Sequence, residues 1–399
     1  MLERVVIRNF RSIRELEWHP QRLNILVGPN NSGKTNICYA LRFLGLAASD
    51  LTIDQAAKDA CGATNGVHRR LPPGGATELQ LTARVPEREV EWRIVLNHTP
   101  DPGEASNYRA DHESVRLADS PQHPGLFVLE GPKSTFCPEH WSGDPEDVQV
   151  IVDEDVVPRE CLILDVVAEN LADPSAVNLT RFVQGFAYYR IDARDLRVYP
   201  ELKGDPILSG DGANLAAVVC SMQREDPQTY AELVSLMQVT EPGLLGFHFA
   251  PTPEGTVVLG ARMAGIEGLM SLHALSDGTL RYMALATVVL QQKMKTAREI
   301  ARPTLVMFEE PENGLWVRHL AELVKRLDEL SANVQTIITT HNPFLLDYFD
   351  DRPECIFVVS GGDEETGTTI KQANPERVRE FLETMSVGEM MFRELLTCE

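Results

Sequence analysis

The sequence predicts an α/β protein: a parallel core sheet, an antiparallel β subdomain and a helical insertion lobe, with no long coiled coil. Three observations predict it. Two continuous apolar or β-branched runs, PTLVMF at 303–308 and VQTIITT at 334–340, suit parallel strands covered on both faces. Alternating stretches between 77 and 117 read as an antiparallel meander. Helical periodicity dominates residues 165–240.

The elements follow in order. Residues 1–27 read as two strands, MLERVVIRNF and RLNILV, joined by a short polar link. A glycine-bearing loop leads into an apolar helix from Lys34 to Leu46. TELQLTARV, VEWRIVLN and NYRADHESVRL make the meander. Residues 137–161 hold eight Asp or Glu against one Arg and read as an exposed insertion or linker. NLAAVVCSMQ and TYAELVSLMQ carry the helical lobe, and residues 244–272 return to strands. From 279 to 349 the order is helix, strand, helix, strand, helix. ECIFVVS and GTTIKQ form a last strand pair, followed by helices. The expected division is an N-terminal lobe over 1–135, an acidic and helical insertion over 136–243, and a C-terminal lobe over 244–399.

Composition removes several classes. The longest apolar stretch, YMALATVVL at 282–290, is too short to span a bilayer. The alternating N-terminus has no signal-peptide core, so a cytoplasmic protein without membrane contact is expected. Seven cysteines with no CxxC argue for reduced thiols. Cys137 and His140 stand at CxxH spacing without a second ligand pair, which does not make a metal site. A net charge of −22 argues against a surface built mainly for phosphate backbones. The one compact basic run, His68-Arg69-Arg70, reads as a solvated loop.

GPNNSGKT at 28–35 fits G-x-x-x-x-G-K-[ST] between an apolar strand and a helix, which is the context a phosphate-binding loop requires. Glycines let successive backbone N–H groups curl around a phosphate. Lys34 reaches the β- and γ-phosphates, and the Thr35 hydroxyl is placed for Mg²⁺. LVMFEE at 305–310 then explains itself. A buried strand ending on two adjacent carboxylates is costly unless something neutralises them. With the phosphate loop present, Glu309 is expected to hold Mg²⁺ through water, and Glu310 to be the general base against the γ-phosphate.

Further stretches carry a family resemblance. LSDGTLR at 275–281 resembles the signature motif of ABC-type ATPases, TTHNPFLLD at 339–347 their switch-histidine segment, and IRNFRSI at 7–13 the opening strand of RecF-like, SMC-like and OLD-family heads. With EEPENGL and SGDGANLAAVV, nearly the whole chain resembles compact AAA-type predicted ATPases of the RecF/OLD/SMC-like branch. The resemblance implies an ABC-type head that binds ATP and Mg²⁺. Gly28, Asn30, Asn31, Ser32, Gly33, Lys34, Thr35 and Asn36 would cradle ATP. Ser276, Asp277 and Gly278 would meet a nucleotide held by a second subunit, giving a homodimer or higher homo-oligomer. His341 would sense the γ-phosphate, and Arg11 would touch phosphate or base.

The chain also departs from that pattern. Glu309 stands where an aspartate is common, which lengthens the reach to Mg²⁺, and Trp316-Val317 stands where relatives have His-Pro. Trp316 is either a partner anchor or core packing. Gln80 and Gln184 are the only glutamine-loop candidates. GGDEE at 361–365 reads as an acidic hairpin turn, and too few residues follow His341 for a built-in nuclease domain. Relatives of this type occur beside separately encoded effectors such as nucleases, in bacterial defence and DNA maintenance. The expected function is therefore an ATP-hydrolysing, dimerising switch for such an effector. A direct DNA-binding RecF-like ATPase, disfavoured by charge, and a non-hydrolysing scaffold stay open; a transporter ATPase fits least.

Overall fold

The computed structural model describes residues 1–49, 51–62, 67, 75–98, 108–119, 127–130, 133–136, 161–162, 164, 173–201, 207–294, 302–362 and 366–396. The basic run at 68–70, the Cys137/His140 pair, nearly all of the acidic segment 137–161 and part of GGDEE lie outside the described residues.

Along the chain, β1 (Leu2–Phe10), β2 (Ile13–Trp18) and β3 (Leu23–Val27) precede α1 (Lys34–Ala47) and α2 (Ile53–Cys61). Five strands follow: β4 (Ala76–Val85), β5 (Arg88–His98), β6 (Tyr108–Leu117), β7 (Phe127–Glu130) and β8 (Lys133–Phe136). Next come α3 (Pro174–Gln184), β9 (Phe186–Tyr189), α4 (Leu215–Glu225) and α5 (Pro227–Thr240). β10 (Leu244–Pro251), β11 (Val257–Met263) and β12 (Met270–Ser271) lead to α6 (Asp277–Gln291), β13 (Leu305–Glu309), α7 (Val317–Ser331) and β14 (Gln335–Thr340). The chain continues through α8 (Pro343–Leu346), β15 (Ile356–Ser360), β16 (Thr369–Gln372), α9 (Pro375–Phe381) and α10 (Val387–Phe392).

Two compact units emerge: Met1–Phe186 with Cys355–Ala373, and Ala187–Glu354 with Asn374–Thr397. In the first, a seven-stranded sheet runs β2-β1-β4-β5-β6-β7-β8. Each neighbouring pair is antiparallel, as the meander predicts. The expected link between the first two strands is itself a strand, β2, paired with β1 through Val5↔Trp18 and Ile7↔Leu16. Ile13, Leu16 and Trp18 are buried. Arg14 and Glu15 are consecutive exposed residues, and they break the strict alternation that would announce a strand. β1 and β2 also exchange charge, Arg4 to Glu17 at 2.6 Å and Arg8 to Glu15 at 2.9 Å. In the same unit β3, buried at every position, pairs in parallel with β15. β16 closes antiparallel on β15.

In the second unit β13 and β14 are parallel, with Leu305↔Gln335 through Glu309↔Thr339 in register. This register delivers the acidic pair and His341 to the same strand end. β9 borders β13. It is a short aromatic run, FAYY, within the stretch 165–240 whose periodicity reads as helical. α6 is buried along nearly its whole length. α7 instead buries one stripe, Leu320, Leu323, Val324 and Leu327, at the spacing an amphipathic helix requires. β10, β11 and β12 form a separate antiparallel sheet. Among the described residues, no helix is long and apolar enough to cross a membrane.

Candidate functional site

In the first unit, the loop between β3 and α1 is shaped by glycines that nothing else can replace. A Cβ on Gly28 would lie 2.1 Å from the Val359 carbonyl oxygen. Gly33 has φ +103, and a Cβ there would sit 2.1 Å from Thr368 Oγ1. Asn31 also adopts a left-handed backbone, φ 64. Alternating handedness of this kind turns consecutive backbone N–H groups toward one concavity. Lys34 Nζ folds back over the loop and donates to the carbonyls of Gly28 at 2.8 Å and Pro29 at 2.9 Å. Ser32 Oγ is buried and has no hydrogen-bond partner among the described residues. A buried hydroxyl left unmet among the described residues, in a loop whose lysine folds back onto its carbonyls, is what a phosphate would complete. Asn36 Nδ2 donates to Ser12 Oγ at 2.6 Å, and Ser12 Oγ lies 2.7 Å from Thr368 Oγ1, so the first turn of α1 is tied to residues 12 and 368.

Arg11 is engaged elsewhere. Its backbone has φ 49, its Nη1 donates to the Cys61 carbonyl at 3.2 Å, and its guanidinium lies 5.1 Å from the Tyr39 ring centroid. None of these contacts is with residues 28–36. Gln80 Nε2 donates to Glu91 at 2.5 Å, and Gln184 Nε2 to the Ala48 carbonyl at 2.7 Å.

In the second unit, β13 ends on the two glutamates. Glu309 Oε2 accepts the Tyr188 hydroxyl, and Arg190 Nε lies 3.8 Å from the same oxygen. Glu310 takes a left-handed backbone, φ 45, unusual for a residue with a side chain. Its N–H donates to the Thr339 carbonyl at 3.0 Å. Its two carboxylate oxygens have different partners: Asn313 Nδ2 donates to Oε2 at 2.6 Å, and His341 Nδ1 lies 2.8 Å from Oε1. The strand register thus brings the expected base and the expected histidine together. Both glutamates line a cleft with Tyr189, Arg281, Phe308 and Pro311.

Glu312 completes this turn. It is buried, its Oε1 accepts the Thr340 hydroxyl, and its Oε2 has no partner among the described residues. Burial pushes its carboxyl above the ordinary value, with the Thr340 bond opposing.

The signature segment opens α6. Ser276 is the N-cap, and its Oγ accepts the Thr279 N–H at 3.1 Å. The resulting helix begins at Asp277, two residues before the expected start at Thr279. Asp277 is paired with Arg197 at 2.8 Å, and Arg197 also donates to the Leu275 carbonyl at 2.9 Å. A Cβ on Gly278 would lie 2.5 Å from the Gly314 carbonyl oxygen, so packing against the turn after the acidic pair already demands glycine there. Trp316 is 70% exposed, which removes core packing as its explanation.

Sequence reasoning missed Tyr188, Arg190, Asn313, Glu312 and Arg197. Only Asn313 had a local signal. It sits three residues after Glu310, where a tight turn places the two side chains side by side, and its N–H donates to the Glu310 carbonyl at 3.1 Å.

Mg²⁺ usually takes one or two carboxylates plus phosphate and water oxygens. The hydroxyl of Thr35 in the first unit and the carboxylate of Glu309 in the second are each oxygen donors of that kind. Among the described residues no cluster of three or more His, Cys, Asp or Glu forms an all-protein metal cage.

Known proteins bear on this geometry. Residues 192–347 match the family model described as an AAA domain, putative AbiEii toxin, type IV TA system. Residues 1–66 match an AAA ATPase domain. The DNA replication and repair protein RecF of Nitrosococcus oceani is 48% identical over 48 residues, 12% of this chain and 13% of that protein. RecF of Psychromonas ingrahamii is 46% identical over 50 residues, 12% of this chain and 14% of that protein. These matches span only a small part of the curated relatives. A solved SMC head, bound to the C-terminal winged-helix domain of ScpA, is similar in fold with a TM-score of 0.53 at 16% identity, covering 92% of this chain and 97% of that one. The two AAA-type segments and the RecF-like stretch, on a fold similar to an SMC head, support an AAA/ABC-type ATPase of the RecF/SMC-like branch.

Proposed function

We propose that the chain hydrolyses ATP, closes with a second copy around it, and thereby switches a separately encoded effector. The observation that carries this reading is the double hold on Glu310, by Asn313 on one oxygen and His341 on the other, above a left-handed backbone. Strain concentrated on a carboxylate with both oxygens held suits chemistry better than packing.

The roles follow from the contacts. ATP phosphates occupy the loop at 28–36, where Gly28, Asn30, Asn31, Ser32, Gly33 and Asn36 supply the cradle. Lys34 turns from the Gly28 and Pro29 carbonyls toward phosphate oxygens, and Ser32 gains a partner that it lacks among the described residues. Thr35 and Glu309 are the residues that would hold Mg²⁺, which would supply positive charge to neutralise the phosphates and the carboxylates. Glu310 takes a proton from water as the oxygen attacks the γ-phosphorus, and ADP leaves. His341 keeps Glu310 aimed and senses the γ-phosphate. Ser276, Asp277 and Gly278 of a second copy meet that phosphate from the other side.

A role in bacterial defence or DNA maintenance, with a nuclease as one effector class, is what the resemblance implies; the family matched at 192–347 is described as an AAA domain, putative AbiEii toxin, type IV TA system. The ScpA-bound SMC head supports a head that carries a partner. A cytoplasmic setting suits both. The RecF similarity favours a second reading, direct contact with DNA. The net charge of −22 opposes it, and salt-dependent DNA binding by the full chain would support it.

The deciding experiment measures particle mass with and without ATP–Mg²⁺, for the wild type and Glu310→Gln. The reading expects ATP to convert monomers to dimers, and the variant to hold the dimer without releasing phosphate. Unchanged mass together with normal hydrolysis by the variant would overturn it.

A further inference from the structure

Three side chains in the second unit form a hydrogen-bonded chain. Ser276 Oγ lies 2.7 Å from Thr279 Oγ1, and Thr279 donates its hydroxyl hydrogen to Glu241 Oε1 at 2.6 Å. Counting hydrogens fixes its direction. A carboxylate only accepts, and a threonine hydroxyl has one hydrogen to give. Glu241 takes that hydrogen. The contact between the two hydroxyls then uses the hydrogen of Ser276, which points at Thr279. The Thr279 N–H occupies a Ser276 lone pair at 3.1 Å. What Ser276 presents outward is therefore a lone pair, and a phosphate oxygen needs a donor there.

The position of Glu241 is itself informative. It is the C-cap residue of α5, whose last turn carries no basic residue. The negative end of a helix disfavours a carboxylate. The helix end does not favour an acid at this position, whereas an obligate hydrogen-bond acceptor for Thr279 does.

We propose that Glu241, acting through Thr279, is a positioning residue that keeps the Ser276 hydroxyl hydrogen turned inward. It thereby sets the ATP concentration at which two copies close. This rests on the signature reading given above. To bind a phosphate oxygen, Ser276 releases Thr279 Oγ1 and rotates its hydrogen outward. Thr279 stays bonded to Glu241, so the lost hydroxyl–hydroxyl bond is the threshold.

The test uses the full chain with ATP–Mg²⁺ and measures the ATP concentration for half-maximal association by sedimentation, alongside phosphate release and melting temperature. Glu241→Ala leaves Thr279 free to donate to Ser276, which frees the serine hydrogen. Thr279→Val removes the competing hydroxyl but keeps the side-chain shape and the capping N–H. Both are expected to lower the midpoint by about three- to tenfold, the effect of one neutral hydrogen bond, with kcat unchanged, while the melting temperature falls with the lost Thr279–Glu241 bond. Ser276→Ala is expected to abolish association, alone and combined with Glu241→Ala.

If Ser276→Ala abolishes association while both other variants keep the wild-type midpoint or raise it, the relay is wrong and the signature reading stands. A shift in Glu241→Ala that Thr279→Val lacks also overturns the relay, because the effect then bypasses Thr279. If Ser276→Ala associates as the wild type does, the signature reading fails and the relay fails with it.

Discussion

His341 Nδ1 lies 2.8 Å from Glu310 Oε1, and Asn313 Nδ2 lies 2.6 Å from the other oxygen of the same carboxylate. Two donors on two oxygens leave Glu310 little rotational freedom. A general base gains from this, because proton transfer depends on alignment as much as on basicity. Glu310→Gln should therefore lower phosphate release by about 10²–10⁴-fold while ATP still binds. His341→Ala and Asn313→Ala each remove one charge-assisted bond and should each reduce kcat by roughly 10- to 100-fold. Because both act on one carboxylate, the double variant should lose less than the product of the two. Single-turnover hydrolysis measures all four. Full additivity would mean that the two holds act independently, against this account.

Ser32 makes a sharper distinction between fold and ligand. Its hydroxyl is buried and unmet among the described residues, so it contributes nothing to the folded chain alone. Ser32→Ala should leave the melting temperature unchanged or higher while weakening ATP binding by about tenfold. Gly33→Ala should behave differently. A Cβ at φ +103, 2.1 Å from Thr368 Oγ1, damages the fold as well as the site. Calorimetric ATP titration and thermal melting of both variants give the comparison. A Ser32→Ala protein that melts markedly lower would mean that the hydroxyl serves the fold.

These cases indicate what was legible in advance. The placement of the loop at 28–35, of Glu309-Glu310 and of His341 at strand ends was readable because each directly follows a continuous apolar or β-branched run. The parallel strands were readable as continuous apolar runs. β2 was not, because Arg14 and Glu15 are consecutive exposed residues that break the alternation, and the ion pairs of Glu15 and Glu17 with Arg8 and Arg4 of β1 are tertiary. β9 was not, because four aromatic and small residues at the end of a helical pattern carry no period. Tyr188 and Arg190 reach Glu309 only through strand adjacency, and nothing local announces a partner so distant in sequence. Gly278 was readable as a glycine but for an incomplete reason, since the Gly314 carbonyl that excludes a Cβ is a tertiary neighbour.

Glu312 gives a prediction with a definite sign. Burial, the largest cause, raises its carboxyl above the ordinary 4.5, and the Thr340 bond only partly opposes this. The native state therefore holds this proton more tightly than the unfolded chain. The stability it contributes is full below the unfolded value and is lost as pH rises through the raised native one. Glu312→Gln keeps an acceptor for Thr340 and cannot ionise. The variant should match the wild type in acid and become relatively more stable as pH rises toward neutrality. Melting curves of both proteins across that range isolate the effect, since every other group titrates equally in the two. A variant that instead loses stability near neutral pH would show that an ionised Glu312 is what the site needs.

Trp316 separates association from folding. It is 70% exposed at the N-cap of α7, directly after the turn that packs against Gly278. An exposed side chain away from the core changes stability by about 0.5 kcal/mol or less when truncated. A large aromatic ring is also among the side chains that most often anchor an interface. Trp316→Ala should therefore melt as the wild type does and hold ATP with unchanged affinity as a monomer. Its ATP-driven association should weaken by at least about 30-fold, the loss expected when an interface anchor is truncated. Sedimentation across a range of protein concentrations, at saturating ATP–Mg²⁺ and in the Glu310→Gln background to suppress hydrolysis, reads that change directly. An association constant that does not move would assign Trp316 to a surface other than the one two copies share, and the effector would become the partner to test against it.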